Sequence, residues 1–459
     1  MNDNDQQSGF RRRIIPPAPP SPVPARRELR RRRPANDRSL LKQAPSAEEA
    51  PGLLAAMHND AAFMPAGTAV KTRPSRPAAE APPDDADGDT GDDNASDSEV
   101  LQSSGSMAIA TLLSRLTGFL RNMLITASLG GAIASAFNTA NQLPNIITEI
   151  VLGAVLTSLV VPVLVRAEKE DPDHGEAFIR RLFTLSVSLL GAVTILSVIL
   201  APNLVKMALS SESKVNLAIS TSFAYWLLPQ IFFYGVFALL MAVLNTKNVF
   251  KPGAWAPVIN NIITLTVLVL YWVLPGELDP KDHSVGIFNP HVLLLGIGTT
   301  TGVIVQALIM LPYIRKSRVS LKPLWGIDSR LKQFGGMAAA IVVYVGISQF
   351  GYFVTSRIAA SADALAPNIY QQAWLLLQVP YGIIGVTLLT AIMPRLSRNA
   401  ADGDDKAVVE DLVMGSKMTY IALIPIVIFF TIFGTDIAKG LFAYGKFDVE
   451  AATVLGWTL

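Results

Sequence analysis

The chain has 459 residues, of which 51% are hydrophobic and only 16% charged, with a formal net charge of +2. A soluble globular chain carries charge on about a quarter of its residues, so this deficit points to a membrane protein. Cysteine is absent and the four histidines (His58, His174, His283, His291) stand at no ligand spacing. Disulfides, cysteine-held metal centres and cysteine nucleophiles are thereby excluded, no metal or cofactor is expected, and the near-zero net charge offers nothing to nucleic acid.

Residues 1–105 hold 14 of the 38 Lys and Arg and 16 of the 36 Asp and Glu. A basic, proline-rich block (Arg11 to Arg13, Arg26, Arg27, Arg30 to Arg33) precedes an acidic one (Asp84, Asp85, Asp87, Asp89, Asp92, Asp93, Asp97, Glu99). Such composition buries too little apolar surface to offset ordering, which predicts a disordered cytoplasmic tail. The favoured reading is a solvated tether; the alternatives are that its Pro16 to Pro24 stretch serves as a polyproline-type ligand and that its arginines lie on an anionic leaflet. No apolar stretch follows the first arginines, so no cleavable signal peptide is expected.

Beyond the tail, helical apolar segments recur at 107–129, 136–165, 182–201, 218–244, 255–274, 291–314, 335–360, 368–394 and 416–435, with a tenth starting near Asp448. Their uninterrupted length predicts an all-α, polytopic membrane protein of about ten spans rather than a barrel. With the tail inside, the inner loops carry fifteen Lys and Arg (Arg166, Lys169, Arg180, Arg181, Lys247, Lys251, Arg315, Lys316, Arg318, Lys322, Arg330, Lys332, Arg395, Arg398, Lys406) and the outer loops three (Lys206, Lys214, Lys281). That asymmetry places the N-terminus inside.

Arg121 precedes Pro144 by 23 positions, and Arg357 precedes Pro380 by the same interval; Gln142-Leu143-Pro144 is echoed by Gln378-Val379-Pro380. The helices are read as ending at Pro162 and Pro394, and Leu204-Val205-Lys206 is echoed by Ile437-Ala438-Lys439. Two copies separated by six spans run parallel, which predicts two helix bundles around a central site: residues 106–330 as a first lobe of six spans and 331–459 as the start of a second. On that period the second copy extends past Leu459, so the sequence reads as truncated.

Ionisable residues at membrane depth usually face a cavity or a partner. On the first helix Thr111, Arg115, Gly118 and Asn122 share a face that Ser114 and Arg121 widen; on the second, Asn138, Asn141, Gln142, Asn145 and Glu149 form a stripe. Two such stripes predict a hydrated lumen. With Glu149 as the one deep acid of these early spans, Arg115, Arg121 and Arg357 leave a surplus of positive charge suited to an anion, and guanidinium groups suit a diphosphate. The alternative for each arginine is snorkelling or gluing helices; for the stripe it is interhelical hydrogen bonding, the favoured reading for Asn260 and Asn261. Pro144 and Pro380 are expected to kink their helices as pivots, and Gly130-Gly131 to form a tight turn, either an outer gate or an ordinary one.

Ser114-Arg115-Leu116-Thr117-Gly118-Phe119-Leu120-Arg121, Ala140-Asn141-Gln142-Leu143-Pro144-Asn145, and Val379-Pro380-Tyr381-Gly382-Ile383-Ile384-Gly385-Val386 through Met393-Pro394-Arg395-Leu396-Ser397 resemble the MurJ/MviN family of lipid II flippases, most of all its actinobacterial branch. The resemblance covers residues from about 107 onward. It implies the two-lobed fold of the multidrug/oligosaccharidyl-lipid/polysaccharide exporters, a cationic central cavity, and transport of lipid II, the undecaprenyl-diphosphate-linked disaccharide-peptide, to the outer leaflet for peptidoglycan synthesis. It further implies no covalent chemistry and a place in the cytoplasmic membrane among bilayer lipids; the tail lies outside the resemblance, and its composition leaves it available to cell-wall synthesis or regulatory proteins. Arg115 and Arg121 match the family's first-helix arginines. Asn122, Ser135, Thr148-Glu149 and Trp374-Leu375 stand where the family carries charged residues, and Arg357 is expected to supply the missing positive charge. The competing readings are export of another polyprenyl-linked glycan or of drugs on the same fold, and a membrane scaffold.

Overall fold

A computed structural model describes residues 92–153, 164, 167, 171–173, 175–210, 212–326 and 335–459. The tail up to residue 91, Pro162, and the loop cations Arg166, Lys169, Arg330 and Lys332 lie outside the described residues. Every regular element among the described residues is helical: α1 (Asp92–Leu129), α2 (Gly131–Thr148) continuing into a π turn (Glu149–Gly153), α3 (Glu176–Ile199), α4 (Ala201–Ala208), α5 (Leu217–Leu227), α6 (Gln230–Thr246), α7 (Lys251–Val273), α8 (Pro290–Leu308), α9 (Met310–Lys316), α10 (Gly335–Ala362), α11 (Ala366–Ala401), α12 (Asp405–Phe442) and α13 (Val449–Thr458).

Several boundaries differ from the sequence reading for identifiable reasons. The first helix starts at Asp92, not 107, so the end of the expected tail is helical. The fourth segment breaks at Leu228-Pro229, with α5 and α6 bent by 41°, because Pro229 withholds a backbone donor. The eighth helix, by contrast, runs through both Pro380 and Pro394 to Ala401. A proline removes only one ladder bond, and the long apolar helix around it continues.

Composition and length qualify α3, α7, α8 with α9, and α12 as membrane spans, and the bent α5–α6 pair as a fifth. α1 and α2 are interrupted by their polar stripes. α12 buries only 11% of its apolar window, and Ile421, Val427 and Ile432 are more than half exposed. That is a surface suited to acyl chains.

Two apolar cores organise the helices. One gathers Phe137 and Leu143 of α2, Phe223 of α5, Phe237 of α6, Leu268 of α7 and Leu295 of α8. The other gathers Ile369, Ala373 and Leu376 of α11, Phe442 of α12 and Leu455 of α13. α1 belongs to both, since Ile125 and Leu129 enter the first core and Phe119 and Met123 pack on the second.

The two helical hairpins run the same way. Gly130, at φ +74°, turns α1 into α2. A Cβ added at Gly131 would lie 2.6 Å from Leu365, which joins α10 to α11, so the two turns meet at one end of the molecule. The parallel copies inferred from sequence therefore appear as two like-oriented hairpins.

Candidate functional site

The two arginines of α1 lie six residues apart, which turns them about 120° from each other on a helix. They consequently serve different neighbours, and the single broad polar face read from the sequence divides. Arg115 is directed at α11: a Cβ at Gly382 would lie 2.7 Å from its Nη1, so glycine there makes room for the guanidinium. Arg121 turns into the first bundle, into a cavity of about 10 Å3, the space of a single water molecule. Polar side chains from four other helices converge there: Asn141 of α2, Gln230 and Tyr234 of α6, Asn260 and Thr264 of α7, and Thr299 of α8.

Arg121 Nε is buried with no hydrogen-bond partner, and so is Gln230 Oε1. The neighbours of the cavity are held among themselves. Gln230 Nε2 donates to Thr300 Oγ1 at 3.0 Å and Asn260 Nδ2 to Gln306 Oε1 at 2.9 Å. Asn261 Nδ2 donates to Ser114 O and Thr117 Oγ1, tying α7 to α1. The interhelical bonding favoured for Asn260 and Asn261 is thus what the structure shows.

The α2 stripe sorts in the same way. Asn138, Gln142, Asn145 and Glu149 share one face, while Asn141 is offset by about 60° from Asn138 and joins the Arg121 cavity. The two ends of the shared face touch the second copy: Asn138 Nδ2 donates to Asn368 Oδ1 of α11 at 3.0 Å, and Gln349 Nε2 of α10 donates to Glu149 Oε2 at 2.8 Å. Gln142 and Asn145 lie half-buried between these contacts, with Asn145 Nδ2 donating back to Asn141 O at 3.4 Å.

Around Asn368 a wholly buried polar cluster joins α1 and α2 to α11. Thr126 Oγ1 donates to Asn368 Oδ1 at 3.2 Å, Asn368 N to Ser135 Oγ at 3.2 Å, and Gln372 Nε2 to Thr126 Oγ1 at 2.8 Å. Asn368 and Gln372 are each 0% exposed. Further contacts close the same end: Lys446 N donates to Ala127 O, Lys446 Nζ pairs with Glu277 at 3.0 Å, and Lys214 donates from its backbone to Ala360 O and from Nζ to Ala362 O.

Arg357 departs from expectation. The inward face of α10 carries Val345, Gln349, Ser356 and Ala360, all buried, whereas Arg357 is exposed on the side bearing Phe350 and Val354. It does not line the Arg121 cavity. The cause is register: the one-position step from Ser356 swings a side chain by about 100°. Pro144 lies inside α2 just before the π turn, Pro380 lies within α11 two residues before the glycine that meets Arg115, and the Gly130-Gly131 turn abuts Lys446 and Leu365.

The family model for lipid II flippase MurJ matches residues 125–459. The chain belongs to the MurJ family. Among MurJ relatives, one from Burkholderia cenocepacia, a lipid II flippase, is 26% identical over 362 residues, covering 76% of this chain and 67% of its own length. A probable lipid II flippase from Vibrio cholerae is 25% identical, with 77% and 68% covered. The chain thus spans about two thirds of the length of the curated MurJ proteins it matches. A solved structure of lipid II flippase MurJ in an inward closed conformation shares the fold at a TM-score of 0.60 and 20% identity, over 76% of this chain and 70% of that one. The family model begins at Ile125, so Arg115 and Arg121 stand just ahead of the matched segment.

Proposed function

We propose that this chain carries lipid II across the cytoplasmic membrane by alternating exposure of a site between its two helical bundles, with no covalent step. Family membership supports the substrate. The observation that carries the mechanism is the pair of α1 arginines, one at the seam against Gly382 and one buried beside Tyr234 with no carboxylate lining its cavity. A cation at membrane depth costs roughly 2.5 to 3.5 kcal/mol on insertion scales, so it is retained where an anion meets it during the cycle.

On this reading the end joined by the Asn368 cluster, Lys446 and Lys214 is the outer one, following the charge asymmetry of the loops. Its contacts hold the outer side shut while the diphosphate enters from the inner side and meets Arg115. Helices α1 and α2 form one wall of the path and α10 and α11 the other, with Glu149 and Gln349 as a contact that must part for the glycan. Arg121 is kept in reserve beside Tyr234, Gln230 and Thr299 for a state in which its cavity opens. Arg357 is assigned a role in attracting the anionic head rather than in holding it.

The test is outer-leaflet exposure of lipid II in cells depleted of their own flippase and expressing this protein. Exposure restored by the native chain and lost in Arg115→Ala supports the proposal. Failure of the native chain to restore exposure, or full restoration by Arg115→Ala combined with Arg121→Ala, contradicts it.

A further inference from the structure

Beside the Glu149–Gln349 contact lies a second cavity, of about 280 Å3, that the transport reading does not use. Leu143, Ile146, Ile147, Ile150 and Val151 of α2 and its π turn form one wall, Leu204 and Met207 of α4 another, and Phe353 of α10 the third. Not one of these side chains is polar. A water molecule needs two or more polar partners, which these side chains do not offer, so the space suits a hydrocarbon chain better than water.

Met207, which lines the cavity from α4, is itself 46% exposed. Met207 is followed by buried Ala208 and Leu209 and preceded by Lys206, which is exposed and donates to no described residue. Met207, which lines the slot, and the exposed Lys206 are thus neighbours on one short helix. Their combination matches an amphiphile with an apolar chain and an anionic phosphate, in which the chain lies against Ile147 and Phe353 and the phosphate meets Lys206. The acid Glu149, next to Ile150 in the chain, disfavours a diphosphate at the other end of the slot.

We infer that this cavity holds one acyl chain of a bilayer phospholipid, its phosphate at Lys206, wedged at the α2–α10 seam between the two bundles. Because the slot takes residues from both copies, its occupant is held only while the bundles keep this spacing. The inference is independent of which substrate is carried.

The test is photolabelling of the full chain reconstituted in phosphatidylethanolamine–phosphatidylglycerol vesicles. One arm contains a phosphatidylglycerol probe with a diazirine on its acyl chain, the other a polyprenyl phosphate with a diazirine on its tail. Adducts are mapped by peptide mass spectrometry, and the exposed α12 residues Ile421 and Val427 report general bilayer contact. The expected result is phospholipid labelling at Leu204, Met207 and Phe353 above the α12 reference, reduced about threefold or more by Lys206→Glu and by the cavity-filling Ile147→Trp. Labelling no higher than on α12, labelling by the polyprenyl probe in preference, or yields unchanged in both variants would overturn it. Lys206→Glu alters an exposed residue, so that arm is decisive even if Ile147→Trp does not fold.

Discussion

Replacing Asn368 with leucine tests whether the buried polar cluster holds the two bundles together. Asn368 Oδ1 accepts from Asn138 of α2 at 3.0 Å and from Thr126 of α1 at 3.2 Å, and both bonds cross between the copies. Each is worth about 1 kcal/mol net, and stranding the amide of Asn138, itself 7% exposed, adds about 1 to 3 kcal/mol. The joined state should lose about 3 kcal/mol or more, which at 1.4 kcal/mol per decade shifts its population against the separated state by about a hundredfold. The chain has no cysteine, so a pair introduced at Ala127 and Lys446, whose backbones are hydrogen-bonded at 2.8 Å, reports that end without background. Rapid crosslinking in the parent should slow sharply in Asn368→Leu. Asn138→Leu with Asn368→Leu should recover part of the loss, because neither partner is then stranded. Equal crosslinking rates in parent and Asn368→Leu would refute the reasoning.

Other consequences are as direct. Arg121→Met removes a buried cation whose cavity is lined by no carboxylate among the described residues and should raise thermal stability, by about 2.5 to 3.5 kcal/mol if the full insertion cost is recovered, while abolishing transport; a stability loss measured in detergent would contradict this. Gly382→Ala places a methyl 2.7 Å from Arg115 Nη1 and should lower lipid II exposure while leaving the melting temperature nearly unchanged, since a flexible side chain can move aside. In the α7–α8 loop, hydrogen bonds from the Ser284 side chain and backbone hold the Asp282 carboxyl below its ordinary range. Its contribution to the loop is therefore present at neutral pH and lost as pH falls through the lowered folded value; Ser284→Ala should raise the titration midpoint of Asp282 in carboxyl NMR.

The helical hairpins, their duplication and the polar stripe of α2 were legible because period and composition carry them directly. Asn138 and Glu149 could be placed on one face from spacing alone, and the structure puts both against the second copy. What spacing could not supply was which neighbour each polar residue meets. Arg115 and Arg121 looked like one face because widening a stripe by one residue is a small step in sequence, yet about 120° separates them around the axis. Arg357 matched Arg121 in its interval to a proline, but an interval fixes position along a helix and not its rotation against a different set of neighbours. Gln230 and Tyr234 escaped notice inside an apolar run, although their spacing of four marks a shared face. Asn368 and Gln372 offered the same signal on α11. Pro229 and Pro394 show the limit of proline as punctuation: the first breaks a span and the second does not, since packing decides whether the remaining ladder holds.

The most direct measurement is the affinity of the purified chain for lipid II, with Arg115→Ala and Arg115→Lys beside the parent. Bidentate pairing with a diphosphate predicts a loss of about tenfold or more in Arg115→Ala, only partly restored by lysine. Equal affinity in all three proteins would contradict the claim that the α1 guanidinium at the seam receives the substrate.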